Sequence, residues 1–300
     1  MGAATPMGGP RVVVMCGRYA ASRDQAELVE LLDIEQDATA EPARTVLVNP
    51  QQPPAGSPDW NMAPTKRAPV VMTRPPRPSG SGTEGSGDVP LPVRQLRLVT
   101  WGLVPSWATD TRMGVRMINA RAESVLEKPG FARAAASRRC LVPADGWYEW
   151  QVSPTAKDAK GKPRKQPFFI HRADHDVLAL AGLYEFWRDR AVEDSSDPQA
   201  WLTTFAVITT RAEPGLDRIH DRQPLVLERQ DWGRWLDPGT TDPGAVSELL
   251  AFKAPGRFDA YPVSGAVNAT RNNGEQLVLP LPREELHGVV DPVTGEVVGE

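Results

Sequence analysis

The sequence predicts a mixed α+β fold, a single domain built round an antiparallel or barrel-like sheet with short peripheral helices. β-rich runs at 93–101, 168–171, 177–187 and 202–210 alternate irregularly with brief helical patches, without the strand–helix–strand rhythm of a doubly wound sheet. No internal repeat is visible. Neither common Gly-rich phosphate loop occurs, which argues against nucleotide hydrolysis and dinucleotide redox chemistry. At 300 residues, 40% of them hydrophobic, the chain is long enough for one large domain or two small ones with a substantial core.

In chain order, residues 1–14 hold Gly, Ala, Pro and a single Arg11, with no signal-peptide pattern, and are expected to be a dispensable or processed extension. Ser22 followed by Gln25 reads as a capping box, leading into a helix with Leu28, Leu31 and Leu32 on one face. Residues 37–58, rich in Ala, Pro and Gln, read as a loop, and 70–73 as a strand. Pro, Gly and Ser dominate 74–92, which is expected to be a disordered insert at a hairpin tip. The strand at 93–101 is broken by Gly102 and Pro105. A helix is expected around 131–136, then an apolar run and turn at 139–146, and a charged, solvated connector at 157–165. Strands at 168–171 and 177–187 flank a turn at 173–176, a polar loop covers 189–199, and helical patches fall near 231–236 and 245–252. The domain proper is expected to span 15–282, with 283–300 a loose tail.

The formal charge of −4 cautions against nucleic-acid binding without excluding it, because a cleft a few nucleotides wide needs only a handful of well-placed arginines. No apolar run approaches the roughly eighteen residues of a membrane helix, so no membrane association and a cytoplasmic location are expected. Two cysteines, Cys16 and Cys140, argue against a disulfide scaffold, and four scattered histidines have no metal-ligand spacing. Neither a metal nor a cofactor is expected. Of nine tryptophans most should be core, with one or two left as stacking platforms for bases.

Cys16 follows Met15 directly. An internal cysteine offers one thiol, with a pKa of about 8.5. A cysteine that begins the mature chain also offers an α-amine of pKa ~7.7–8.0, and the pair closes on an aldehyde as a thiazolidine. The expectation is therefore that Met15 is the start of the working protein, or that the chain is cut before Cys16. A buried structural cysteine is the plainer reading of any one such residue.

The ordered set Met15-Cys16-Gly17-Arg18-Tyr19, Trp60-Asn61-Met62-Ala63-Pro64, Trp101-Gly102-Leu103-Val104-Pro105-Ser106-Trp107, Asn119-Ala120-Arg121-Ala122-Glu123, Asp145-Gly146-Trp147-Tyr148-Glu149-Trp150, His220-Asp221-Arg222-Gln223-Pro224 and Val263-Ser264 resembles the SRAP family, the SOS-response-associated peptidases. The resemblance implies a single α+β domain that senses abasic sites in single-stranded DNA and couples its N-terminal cysteine to the damage. A strand-cleaving lyase activity and self-cleavage before Cys16 go with it.

It also implies Cys16, Asn119, Glu149 and His220 as the catalytic set. Asn119 would orient the Cys16 amine or the sugar oxygen. Glu149, between Tyr148 and Trp150, should have a raised pKa suited to protonating the sugar ring oxygen, and His220 would shuttle protons. Arg18, Arg121 and Arg222 suit phosphates flanking the lesion, and Trp101 and Trp107 suit base stacking. The expected partner is single-stranded DNA containing an abasic site, at replication forks or elsewhere on the nucleoid, with the protein a monomer. Two other readings stay open: an N-terminal-cysteine amidohydrolase, since class II glutamine amidotransferases also begin Cys-Gly, and a non-covalent single-strand-binding module.

Overall fold

The computed structural model describes residues 16–76, 90–251 and 256–299. The expected N-terminal extension and most of the expected insert, 77–89, lie outside the described residues. The strands are β1 (Tyr19–Ala21), β2 (Gln36–Asp37), β3 (Asp59–Met62), β4 (Arg67–Arg74), β5 (Val93–Trp101), β6 (Asn119–Arg121), β7 (Arg139–Ala144), β8 (Gly146–Lys157), β9 (Pro163–Arg172), β10 (Leu178–Arg188), β11 (Trp201–Arg211), β12 (Arg222–Pro224), β13 (Phe258–Pro262), β14 (Val289–Val290) and β15 (Val297–Val298). The α-helices are α1 (Gln25–Leu31), α2 (Ala132–Ser137), α3 (Arg229–Leu236) and α4 (Pro243–Leu250).

The mixed α+β class is as expected. One sheet runs β12-β11-β10-β7-β4-β5-β2, and a parallel pairing of β5 with β11 at Thr100/Thr204 and Trp101/Phe205 closes five of its strands into a barrel. An antiparallel five-stranded sheet, β13-β9-β8-β1-β3, packs beside it. Side chains alternate along the barrel strands. Val70, Met72, Val142, Leu180 and Phe205 face a core shared with Tyr19, Trp147, Phe168 and Ile170 of the second sheet. Val71, Leu141, Ala181 and Ile208 face outward, under Leu28 and Leu32, Ala134 and Ala135, Trp232 and Trp235, and Leu249. The period-2 alternation thus buries one stripe against a sheet and the other against helices too short to be stable alone.

At the barrel seam Gly102 has φ +127 and its amide donates to the Phe205 carbonyl. A Cβ there would stand 2.6 Å from the Gly114 carbonyl oxygen, so this position requires glycine.

Three expectations are corrected. The N-cap of α1 is Asp24, whose side chain accepts from the Glu27 amide, and not Ser22; the capping-box pattern lay two residues early because Asp24 can cap the same turn. The charged stretch at 157–165 is a solvated connector, as expected, only at 158–162; its ends belong to the β8–β9 hairpin, with Lys157 opposite Pro163 and 163–165 in β9. Residues 283–299 are fastened down and not loose. Leu286 and Val289 are buried in the main core, and the Gln151 side chain bonds both the amide and the carbonyl of Val290. The apolar residues of this segment, Leu286, Val289, Val290, Val293, Val297 and Val298, fall at neither the strand nor the helix period, so the chain offers no pattern from which to foresee this. Among the described residues no helix is long and apolar enough to cross a membrane.

Candidate active site

Chain geometry brings five of the expected residues to one place. β1 pairs β8 with Tyr19 opposite Trp147, and the Tyr148 amide donates to the Arg18 carbonyl, so the chain just before β1 runs alongside Glu149. Cys16 N lies 2.7 Å from Glu149 Oε1 and donates to it. On the other side, β11 shares one edge among β5, β6 and β12: Val207 pairs Asn119, and Arg211 pairs Arg222. Asn119 Nδ2 donates to the Cys16 carbonyl at 3.4 Å, and the Cys16 thiol approaches the Arg222 carbonyl at 4.0 Å. His220 sits in the turn leading into β12.

Glu149 lies mid-strand and is buried, with relative exposure 2%. Burial raises its carboxyl pKa. The positive field of His220 and the hydrogen bond from Cys16 offset part of that, whereas Asp221 adds to it. The Cys16 thiol is pushed well above its ordinary range, first by burial and next by Glu149, with Arg222 opposing. It is therefore a thiol and not a thiolate at neutral pH. Cys16 itself has φ +42, in the left-handed region.

His220 Nδ1 has two neighbours that ask opposite things of it. The Arg222 amide donates to it at 3.1 Å, which puts the proton of a neutral ring on Nε2. Asp221 Oδ1 also lies 3.1 Å away and is the natural partner of a charged ring. Nδ1 therefore has a donor and an acceptor both within reach.

The arginines divide. Arg18 donates to Asn61 Oδ1 and the Val267 carbonyl, both at 2.8 Å, and to the Asn268 carbonyl at 3.4 Å; all three acceptors are neutral. Arg222 is instead committed to a two-pronged pair with Glu123 at 2.6 and 2.8 Å and to the Thr209 carbonyl. That pair ties the Asn119–Glu123 motif to the His220–Pro224 motif. Arg121 is exposed on β6, opposite Thr209.

The tryptophans divide as well. Trp101 is no stacking platform: it is 1% exposed, donates to the Ile118 carbonyl and packs between Tyr19 and Phe205. Trp107 is 57% exposed, and no described contact joins it to the Cys16 cluster.

Two residues escaped the sequence reading. Asn61, wholly buried, donates to the carbonyls of Val267, Ala269 and Asn272 while accepting from Arg18, and so sets the wall beside the cluster. Asp221 acts on His220, Glu149 and Cys16 together. Both stand inside the sequence motifs, but a carboxylate next to a histidine in a turn has no sequence signal that separates it from a solvated one.

A sequence model of one family, described as "SOS response associated peptidase (SRAP)", matches residues 15–270. The chain is 32% identical over 267 residues to "Abasic site processing protein YoqW" of Bacillus subtilis, covering 88% of this chain and 99% of that one. It is 29% identical over 270 residues to "Abasic site processing protein YedK" of Escherichia coli, covering 89% and 100%. Among solved structures, a phage-related protein of Bordetella bronchiseptica superposes with a TM-score of 0.53 at 29% identity, covering 83% of this chain and 94% of that one.

Proposed function

Because the chain belongs to the SRAP family, we propose that it processes abasic sites in single-stranded DNA, linking itself covalently to the lesion through Cys16 as the first residue of the mature chain. The observation that carries this reading is the 2.7 Å contact between Cys16 N and Glu149 Oε1. At the amide of an internal, buried Cys16 that contact would be an ordinary hydrogen bond with no chemistry. At the α-amine of a terminal cysteine the carboxyl takes the proton released when the amine adds to an aldehyde. The left-handed φ of Cys16 fits the same reading: it is costly for a residue acylated by a predecessor and has no counterpart in a terminal one.

The order of steps follows from the protonation states. The thiol is held as S–H, so the amine attacks first. It adds to the C1′ aldehyde of the ring-opened sugar, Glu149 carries a proton from nitrogen to the departing hydroxyl, and water leaves to give the imine. The thiol then adds across the C=N bond, sulfur bonding to carbon and its proton passing to nitrogen, which gives the thiazolidine. Asn119, on the Cys16 carbonyl, fixes the direction in which the amine points. His220, with an acceptor or a donor partner for each charge state, passes protons during ring opening and reversal.

From the imine stage, loss of the 3′ phosphate by β-elimination is the lyase branch. Self-cleavage before Cys16 accounts for the peptidase in the family's description. Arg18, whose acceptors are all neutral, and exposed Arg121 are the cations for flanking phosphates, and Trp107 is the stacking residue. Arg222 is assigned to positioning. The protein works as a monomer in the cytoplasm, on the nucleoid and at replication forks.

The test is a denaturing gel of protein incubated with single-stranded DNA carrying one abasic site. A slow-migrating adduct is expected, absent with intact DNA and absent with Cys16→Ala. An adduct that persists in Cys16→Ala overturns the proposal.

A further inference from the structure

The β8–β9 hairpin carries a charge that the Cys16 chemistry does not use. Its outer end holds Lys157, Lys160, Lys162, Arg164 and Lys165 against one carboxylate, Asp158, on a chain whose formal charge is −4. The four lysines are exposed and Arg164 is half-buried. Asp158 serves the turn: its Oδ1 accepts from the amides of Lys160 and Lys162. Among the described residues none of the five cationic groups is hydrogen-bonded or ion-paired.

Like charges this close repel one another, yet the chain braces the hairpin that gathers them. Where the β8–β9 register shifts, between Val152 and Lys157, Ser153 Oγ accepts from the amides of Thr155 and Ala156 and donates to the Gly288 carbonyl. Gly288 has φ +62, and a Cβ there would stand 2.5 Å from Ser153 Oγ, so the C-terminal segment lies directly against the hairpin. Two residues further in, Gln151 holds Val290 by both its amide and its carbonyl. Lys165 stands opposite Val152, three residues along β8 from Glu149, and Lys157 is eight residues along, so the cations extend from ~10 Å to ~26 Å of strand beyond the Cys16 contact.

We propose that this hairpin is an arm that grips the backbone of duplex DNA flanking the single-stranded lesion. The inference rests on the abasic-site reading of the Cys16 cluster. Unpaired, exposed cations on a braced support are suited to phosphates, which they neutralise with release of counterions. No aromatic residue occurs from 151 to 167. Surfaces that track a single strand interleave cations with rings on which bases stack, whereas a duplex keeps its bases paired and presents phosphates. The ~16 Å of strand between the levels of Lys165 and Lys157 spans about five phosphates of one duplex strand, at ~3.4 Å of helix axis each. The arm leaves the site in one direction, along β8, and so reaches duplex on one side of the lesion only.

Fluorescence anisotropy titrations of the full chain over a range of salt concentrations test it. The probes are a short single strand and the same strand extended by about ten base pairs of duplex on its 5′ or its 3′ side. Two variants are compared with the wild type, Lys157, Lys160, Lys162 and Lys165 all changed to Gln, and the same four changed to Arg; thermal melts check that both fold. The wild type is expected to bind one duplex-extended probe more tightly than the other. On that probe the Gln variant should lose about tenfold or more in affinity, with the salt dependence flattened by about three counterions, while the Arg variant keeps both. Binding of the short single strand should be unchanged. Equal weakening on the single strand, no weakening on any DNA, or a loss confined to anionic lipid vesicles assayed in parallel would each overturn the proposal. Adduct formation on a short abasic single strand, which does not need the arm, reports separately on the active-site reading.

Discussion

Cys16 N and Glu149 Oε1, 133 residues apart in sequence, lie 2.7 Å apart because β1 and β8 are neighbours in one antiparallel sheet. The covalent chemistry proposed for Cys16 is arranged round that contact, and it can be broken on either side.

Glu149→Gln separates chemistry from stability. The amide keeps an oxygen for Cys16 N but cannot carry a proton, so adduct formation should slow by about 10²-fold or more in a gel time course. Stability should change the other way. A carboxyl whose folded pKa is raised ionises in the unfolded chain first, so the native state loses stability as pH rises from the ordinary carboxylate range through the folded value. Melting temperatures of the wild type should therefore fall over that window, and those of Glu149→Gln should not. Parallel pH profiles for the two proteins would contradict the buried-carboxyl account.

Trp101 and Trp107 should behave as opposites. Trp101→Ala removes an indole from the middle of the core and should cost about 3–5 kcal/mol in denaturant unfolding. Trp107→Ala should leave unfolding unchanged and weaken single-strand binding by roughly 1–3 kcal/mol in a fluorescence anisotropy titration.

Arg18 and Arg222 should also part company. Arg18→Gln removes a cation whose described acceptors are neutral, so the salt dependence of single-strand binding should flatten by about one counterion. Arg222→Gln, losing a pair already neutralised by Glu123, should leave that slope unchanged while slowing adduct formation. An equal drop in slope for both variants would mean that Arg222 also meets phosphate.

Removing residues 283–300 should destabilise the protein even though the segment is outside the motifs. Leu286 and Val289 are buried, and each buried aliphatic side chain is worth about 1.5–3 kcal/mol. Gln151 also loses both of its Val290 partners. A truncated chain that melts with the full-length protein would show the tail to be dispensable.

The motif residues were legible because they are short, ordered and chemically unusual: a Met-Cys pair, a carboxylate between two aromatics, a His-Asp-Arg run. The strands at 93–101 and 202–210 were legible for a similar reason, since β-branched and apolar residues fill them. The β8–β9 hairpin tip was not, because Lys157 and Pro163 face solvent and exposed edge positions select no hydrophobic period.

What the linear chain settled by itself was which residues have reactive chemistry and which segments are extended, because those depend on side-chain type and local preference. Which of them meet was a matter for the tertiary structure. Trp101 and Trp107 belong to one motif, yet the barrel seam buries the first and leaves the second 57% exposed. Arg18 and Arg222 are the same residue type beside the same cysteine, yet among the described residues only the second is hydrogen-bonded to a carboxylate, Glu123, brought against it by strands pairing along β11. Burial and partner choice depend on contacts between distant parts of the chain, and no local pattern encodes them.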